Sequence, residues 1–362
     1  MRFTADFETT TDVNDCRVWA FGLFNIDSGD FDYGNNINDF FAYFDNEPET
    51  ITLYFHNLKF DGEFILSWLL NNGYVFQNSR FKLNLGSFSA LISDSKVFYS
   101  ISIRLFSGTL IHIYDSLKIL PFSVDKISKG FNLPFDKLTI DYDKYRPTDH
   151  ELTRNEIAYI KNDVRIVGTA LKILFDAGLT SITAGSNALN DFKKIIGKKR
   201  FYNLFPETDD EYLRRSYKGG FTYLNPRFQN VVVGSGLVFD VNSLYPSVMY
   251  YDKMPYGEPI FYDGQYKHDA VYPLYIQAIR CNFKVKDNYI PTIQIKRSAR
   301  FRDNEYLTES GDVEVVLTLT SVDMQLFFDH YDVYNLEYLH GYKFKTSNTI
   351  FRQYIDKWNA EK

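Results

Sequence analysis

Along the first third of the chain, apolar and polar positions alternate in short runs, and later they settle into a helical rhythm. Arg2–Glu8 reads as a strand and Val18–Ile26 as its hairpin-like neighbour. Ile51–Phe55 is a further short strand, followed by a loop and a helix from about Asp61 to Leu70. Val97–Phe106 and Leu110–Tyr114 are strand-like, with β-branched and aromatic residues in alternation. Over Glu151–Asp176 the period lengthens: Ile157, Ile160, Val164, Val167 and Leu171 recur at helical spacing. Thr153 is placed to cap this helix, with Glu156 as its reciprocal partner three residues on, and Gly178 ends the run. Strands first and an acidic helix last predict an α/β layout for this part.

Beyond Gly178 the pattern breaks. Ser181–Asn190 is small and polar, a plausible boundary, and a basic stretch follows with Lys193, Lys194, Lys198, Lys199 and Arg200. Val231–Met249 is strongly apolar and reads as strand, turn and helix, with Asp240 closing the strand. From about Tyr251, short strands interrupted by Pro255, Pro259, Pro273 and Pro291 predict a loop-rich inserted module. Thr349–Lys362 reads as the first turns of a helix, so the chain is expected to stop inside a larger architecture.

A chain of 362 residues exceeds one ordinary domain and predicts two or three. No apolar run reaches the ~18 residues of a membrane span, and acidic residues interrupt the N-terminus before a signal-like core forms. Cys16 and Cys281 are the only cysteines, which excludes a disulfide framework or cysteine zinc site and fits a reducing cytoplasm. The net charge of −6 argues against a DNA coat protein but not against a nucleic-acid enzyme, whose local basic patches set phosphate affinity. Thirty-three Phe and 28 Tyr could serve as stacking platforms for bases, or simply fill cores.

Four acids carry the chemistry: Asp6 and Glu8 in FTADFETT, Asp61 in YFHNLKFDGEF, and Asp163 in YIKNDV. Asp6 and Glu8 lie two apart on a strand, so both project from one face. Tyr159 and Asp163 lie four apart on a helix and share a face. Carboxylates suit a pair of Mg²⁺ ions, because hard cations take oxygen ligands. Such ions can activate water and stabilise the leaving oxygen of a phosphodiester. Tyr159 is placed to orient that water or help deprotonate it.

In this order, the three signatures resemble the proofreading motifs of protein-primed bacteriophage family B DNA polymerases. The resemblance covers the chain from its first strand to YIDKW near the end. It implies an RNase H-like 3′–5′ exonuclease domain over 1–182, part of a polymerase palm over 183–251, a mixed α/β insertion over 252–350 contacting terminal protein and DNA, and the start of the fingers over 351–362. It implies that Thr9, Asn57 and Phe60 hold a single-stranded primer end, with Ser116 and Leu117 of YDSLKIL beside it, and that Lys137 in DKLTIDY assists catalysis. His56 is open to two readings, a contact to DNA or terminal protein, or a buried structural histidine.

The segment LVFDVNSLYPSVMY resembles the first polymerase motif. That implies metal binding by Asp240 and Val241, and a nucleotide site lined by Val241, Ser243, Leu244 and Tyr245. Tyr217, Gly219 and Gly220 resemble the element coupling the two activities, whose glycines permit positive φ and close approach to phosphate. Lys296, Arg297, Arg300 and Arg302 form either a solvated loop or a phosphate or terminal-protein contact. The K-x-x-x-N-S-x-Y-G and Y-x-D-T-D-S elements that polymerisation also needs do not occur in the sequence. The chain is therefore expected to need a C-terminal part for DNA synthesis, in a host cytoplasm, with single-stranded and primer-template DNA, terminal protein and dNTP as partners and no membrane. Two alternatives remain: a catalytically silent DNA or terminal-protein binding module, and a stand-alone exonuclease.

Overall fold

A computed structural model describes residues 1–12, 14–79, 82–208, 210–296 and 298–361. The chain divides into two compact units, Met1–Asp191 and Phe192–Lys362.

The first unit holds β1 (Arg2–Thr9), β2 (Val18–Asn25), β3 (Phe31–Gly34), α1 (Ile37–Tyr43), β4 (Ile51–Phe55), α2 (Leu58–Asn71), β5 (Val75–Phe76), β6 (Ser87–Ile92), β7 (Phe98–Arg104), β8 (Leu110–Asp115), α3 (Val124–Gly130) and α4 (Arg154–Asp176). Its eight strands form one mixed sheet in the order β3-β2-β1-β4-β8-β7-β6-β5. β1 sits inside it, antiparallel to β2 and parallel to β4. Alternation along β1 separates two tasks. Phe3, Ala5 and Phe7 join the core that α1 and α2 cover, with Phe40, Phe44, Leu58, Ile65 and Leu69. Thr4, Asp6 and Glu8 therefore project towards the opposite face, where Ile166, Val167 and Leu171 of α4 pack with Ile26 and Tyr54.

Small residues let α4 approach the sheet. A methyl on Gly22 of β2 would lie 2.3 Å from Ile160 Cγ2, and one on Gly168 of α4 would lie 2.4 Å from the Phe24 ring. The Thr4 hydroxyl donates to the Val164 carbonyl across this seam at 2.7 Å. α4 carries the expected capping box between Thr153 and Glu156, and Gly178 follows it at φ +82°.

α5 (Ala184–Ile196) contains the division between the units. The second unit continues with α6 (Lys198–Leu204), α7 (Asp210–Arg215), α8 (Leu244–Tyr251), β9 (Met254–Asp263), β10 (Leu274–Val285), β11 (Val315–Thr320), α9 (Ser321–His330), β12 (Tyr331–Ser347) and α10 (Arg352–Glu361). Its sheet is antiparallel in the order β11-β10-β12-β9. Ile279, Cys281, Phe283, Leu319, Met324 and Phe327 form its core. The buried Tyr331 hydroxyl accepts from Thr292 and Ile293 N–H and donates to the Leu307 carbonyl, tying the long β10–β11 connection to the sheet.

Two expectations are corrected here. The module after Tyr251 is built on long strands, β10 of 12 residues and β12 of 17, rather than short ones. The apolar run 231–240 is not a strand: Val232, Val238 and Phe239 are 96%, 98% and 87% exposed. A strand needs a neighbour to take its backbone hydrogen bonds, and none of the described strands pairs with this run. No helix among the described residues is long and apolar enough to cross a membrane.

Candidate active site

The acids meet where β1 passes under α4. One oxygen each from Asp6, Glu8 and Asp163 lies within 4.8 Å of the others. Asp61 arrives from the first turn of α2. β4 ends at Phe55 opposite Ala5, so it offers no partner to Phe7 N–H, and the Asp61 carboxylate accepts that bond at 3.1 Å. Asp61 thus lines the same cavity, of about 310 Å³, but stands outside the group of three.

Burial pushes the Asp6 carboxyl up to about 7, with Asp163 as the next cause, and pushes Glu8 up to about 9, with Asp6 and Asp163 adding to it. Asp61 and Asp163 are raised too, again first by burial. Lys137 is the positive charge among them, with Nζ 3.0 Å from Asp163 Oδ2. Burial would lower this ammonium, but Asp163 outweighs it and holds it above the ordinary lysine range. Asp163 Oδ1 is buried with no hydrogen-bond partner. Crowded carboxylates with an orphaned oxygen fit a hard divalent cation, which would relieve both the repulsion and the unmet acceptor. Asp6, Glu8 and Asp163 could hold it, with Asp61 at their side.

Tyr159 is buried beside them, and its hydroxyl lies 2.6 Å from that of Tyr142. Burial, then Glu8 and Asp163, push the Tyr159 phenol further above its ordinary range. Of the two roles expected of this phenol, the upward shift favours orienting by hydrogen bonding.

Thr9, Asn57 and Phe60 line the cavity. Asn57 takes a left-handed backbone, φ +74°, which asparagine tolerates better than most residues. Asp115 holds it there, accepting from Asn57 N–H at 3.1 Å and Leu117 N–H at 3.0 Å. The Asn57 carboxamide makes no capping bond and is exposed. Phe60 is half-exposed on the next turn. His56 also lines the cavity, yet both ring nitrogens are engaged, one with the Ser116 hydroxyl and the other with the Phe122 carbonyl. Burial lowers its pKa, so it is a neutral strut, and a ligand could reach only its ring face or edge. Ser116 is corrected from contact to support: it is fully buried beneath His56 and also bonds the Phe55 carbonyl. Leu117 is half-buried and fixed through its backbone. Sequence reasoning missed Tyr142 and Asp115. Tyr142 sits in an irregular stretch with no periodicity to mark it, and Asp115 reads as the polar end of a strand.

The second unit brings together few of its expected residues. Asp240 and Val241 are exposed in irregular chain, so the cleft expected around Asp240 is not formed. Ser243 precedes α8 in a left-handed conformation, φ +53°, with Leu244 and Tyr245 exposed on the first turn. Tyr217 is exposed. Neither Gly219 nor Gly220 uses the positive φ that glycine permits, and a methyl on Gly220 would lie 3.6 Å from the Tyr245 hydroxyl. That is an ordinary van der Waals distance, and a methyl on Gly219 would meet nothing within 4 Å, so neither close approach nor backbone handedness calls for glycine there. Lys296 is exposed, as are Arg300 and Arg302, and Arg297 lies outside the described residues.

The DNA polymerase of Bacillus phage phi29 is 48% identical over 364 residues, covering 98% of this chain and 62% of that protein. The DNA polymerase of Streptococcus phage Cp-1 is 30% identical, covering 99% of the chain and 65% of that relative. Structures of the phi29 enzyme complexed with single-stranded DNA and with primer-template DNA match 99% of the chain at 46% identity, with TM-scores of 0.90 and 0.91. The chain covers 63% of each of those two, so it spans less than two thirds of the length of these relatives. The family profile described as DNA polymerase type B, organellar and viral, matches residues 45–152 and 139–362. Sharing that profile over most of its length and nearly half its residues with the phi29 enzyme, the chain belongs to the type B DNA polymerases of viruses and organelles.

Proposed function

We propose that the first unit is an RNase H-like, divalent-metal-dependent 3′–5′ exonuclease that trims single-stranded DNA ends, within a protein-primed phage replicative polymerase. The observation that carries this is the three-carboxylate group with its orphaned Asp163 Oδ1, set in a cavity walled by Thr9, Asn57 and Phe60. Asp6, Glu8, Asp61 and Asp163 would hold two Mg²⁺ or Mn²⁺ ions. When bound, such ions polarise a phosphodiester and lower the pKa of an attacking water. The chain's own groups do the rest. Phe60 offers a ring to stack on a terminal base, and the Asn57 carboxamide and Thr9 hydroxyl offer hydrogen bonds to the strand. Lys137 offers a positive charge to the phosphate, and Tyr159 offers a directional hydrogen bond.

Asp240, Val241, Ser243, Leu244 and Tyr245 are read as the first polymerase motif, belonging to a palm over 183–251, with 252–350 as the terminal-protein and DNA-contacting insertion and 351–362 as the start of the fingers. Nucleotidyl transfer calls for further carboxylates, and the Y-x-D-T-D-S element is not in this sequence. DNA synthesis from dNTP is therefore assigned to this chain only when completed by such elements. Host cytoplasm is the fitting location.

Release of nucleotides from 3′-labelled single-stranded DNA, with and without Mg²⁺, tests the reading. Asp6→Ala or Asp163→Ala removes a metal ligand and should lower the rate by orders of magnitude, each factor of ten being about 1.4 kcal/mol of barrier. Undiminished turnover in both variants sinks the assigned site. Salt-sensitive binding with no Mg²⁺-dependent turnover would support the silent binding module instead.

A further inference from the structure

We propose that the buried Arg146–Glu156 ion pair is a positioning clamp that holds Lys137 and Tyr142 in register with the helix carrying Asp163. The inference rests on the exonuclease reading above and deepens it.

Phe131–Thr153 forms no regular helix or strand, so no backbone ladder fixes its side chains. Yet it supplies two of the groups at the site: Lys137, 3.0 Å from Asp163, and Tyr142, 2.6 Å from Tyr159. Tyr142 is itself half-exposed and cannot hold its own place by burial. Something else must fix the arch, because a shift of about 1 Å at a reacting centre costs roughly 100-fold in rate.

Arg146 meets that need. Its side chain is 3% exposed, and its guanidinium bonds three acceptors at once: Glu156 Oε1 at 2.8 Å, the Lys144 carbonyl at 2.8 Å and the Asp141 carbonyl at 2.9 Å. The Asp141 carbonyl belongs to the peptide that precedes Tyr142. The guanidinium also lies over the Trp19 ring, 4.2 Å from its centroid. Only a planar, multi-donor cation serves these directions together. Glu156 in turn accepts from Thr153 N–H at 3.0 Å and meets His150 Nε2 at 2.9 Å. Burial opposes its charge, but these bonds outweigh burial and hold it at about 2. On α4, Glu156, Tyr159 and Asp163 recur at helical spacing and are all buried, so the clamp and the site share one rigid element. At the other end of the arch, Asn162 of α4 donates to the Asp136 carbonyl at 2.8 Å, beside Lys137.

A buried ion pair can also serve stability alone, so the test must separate the two roles. In the full chain, Arg146→Met is measured for kcat on 3′-labelled single-stranded DNA, alone and in a Lys137→Ala/Tyr142→Ala background. The clamp predicts a drop of about 10- to 100-fold alone, and less than twofold further loss in that background. An equal loss in both backgrounds, or an unchanged kcat in the single variant, overturns it. Arg146→Lys keeps the charge beside Glu156 but surrenders the carbonyl bonds. If Arg146→Met does not fold, Arg146→Lys must show the same non-additive loss, or the clamp fails. Asp6→Ala, run in parallel, reads the parent proposal separately: if it retains turnover, the exonuclease site itself is wrong, whatever Arg146 does.

Discussion

Gly22→Ala adds one methyl at the seam between β2 and α4, and its consequence can be worked through. The new carbon would lie 2.3 Å from Ile160 Cγ2 and 3.4 Å from Val164 Cγ1. Carbon atoms rest at about 3.5–4.0 Å, so one partner must retreat by about 1 Å. Ile160 is fully buried, and a β-branched side chain in a helix has essentially one χ1 rotamer. It has nowhere to rotate, and the displacement passes to α4. Overpacking of this kind costs about 1–3 kcal/mol, against about 0.4–1 kcal/mol gained from a less flexible unfolded chain. Net destabilisation wins, by about 1–2 kcal/mol. Asp163 lies three residues beyond Ile160, so the carboxylate group opens and, if the proposed exonuclease reading holds, kcat should fall about 100-fold. Ile160→Ala deletes the obstructing methyl. The double variant should recover the kcat of Ile160→Ala alone, measured on 3′-labelled single-stranded DNA beside urea unfolding. A Gly22→Ala protein with kcat within twofold of the parent, or a loss that Ile160→Ala leaves untouched, would refute the claim that this seam sets the carboxylate spacing.

Other outcomes follow from charge and exposure. Asp6 and Glu8 are raised to about 7 and about 9, so their protonated forms favour the fold. With chelator present, protection of β1 and α4 amides should fall as pH rises from about 4 towards 9, and Mg²⁺ should restore it; a flat profile counts against the carboxylate crowding. Glu156 has the opposite sign: held at about 2, it stabilises above its ordinary range near 4.5, and that contribution drains away as pH falls towards 2. Glu156→Gln should flatten this acid limb in a pH titration of unfolding. Thr153→Ala, which removes the cap hydroxyl, should cost about 1 kcal/mol in urea melts. Amides of 231–240 should exchange within seconds in this chain, and strong protection there would show that a strand partner had been overlooked.

The first unit was legible because its code is local. The Thr153 and Glu156 capping box, Gly178 and the period of Ile160, Val164 and Val167 each act within one helix, and all are found as read. Strand alternation likewise placed Asp6 and Glu8 on one face. What escaped was set by partners far along the chain. Ser116 is expected from the resemblance to lie beside a single strand, yet it is covered because His56, 60 residues away, lies over it. Tyr142 gains its place from Arg146 and Glu156, and no periodicity announces such a bond. The run 231–240 has the composition of a buried strand, but composition cannot supply the neighbouring strand that would bury it.

The 17 residues of β12 impose an order of events on synthesis. This strand is the one that joins β10 to β9, so the second sheet stays open until residue 347 has been translated. The first unit is complete at Asp191. At roughly 5–20 residues per second, it has on the order of 10–30 s on the ribosome before its neighbour can close. Late in that interval β10 can pair with β11, but β9 and the other edge of β10 have no partner until β12 follows, and a chaperone that shields edges should find its substrate there.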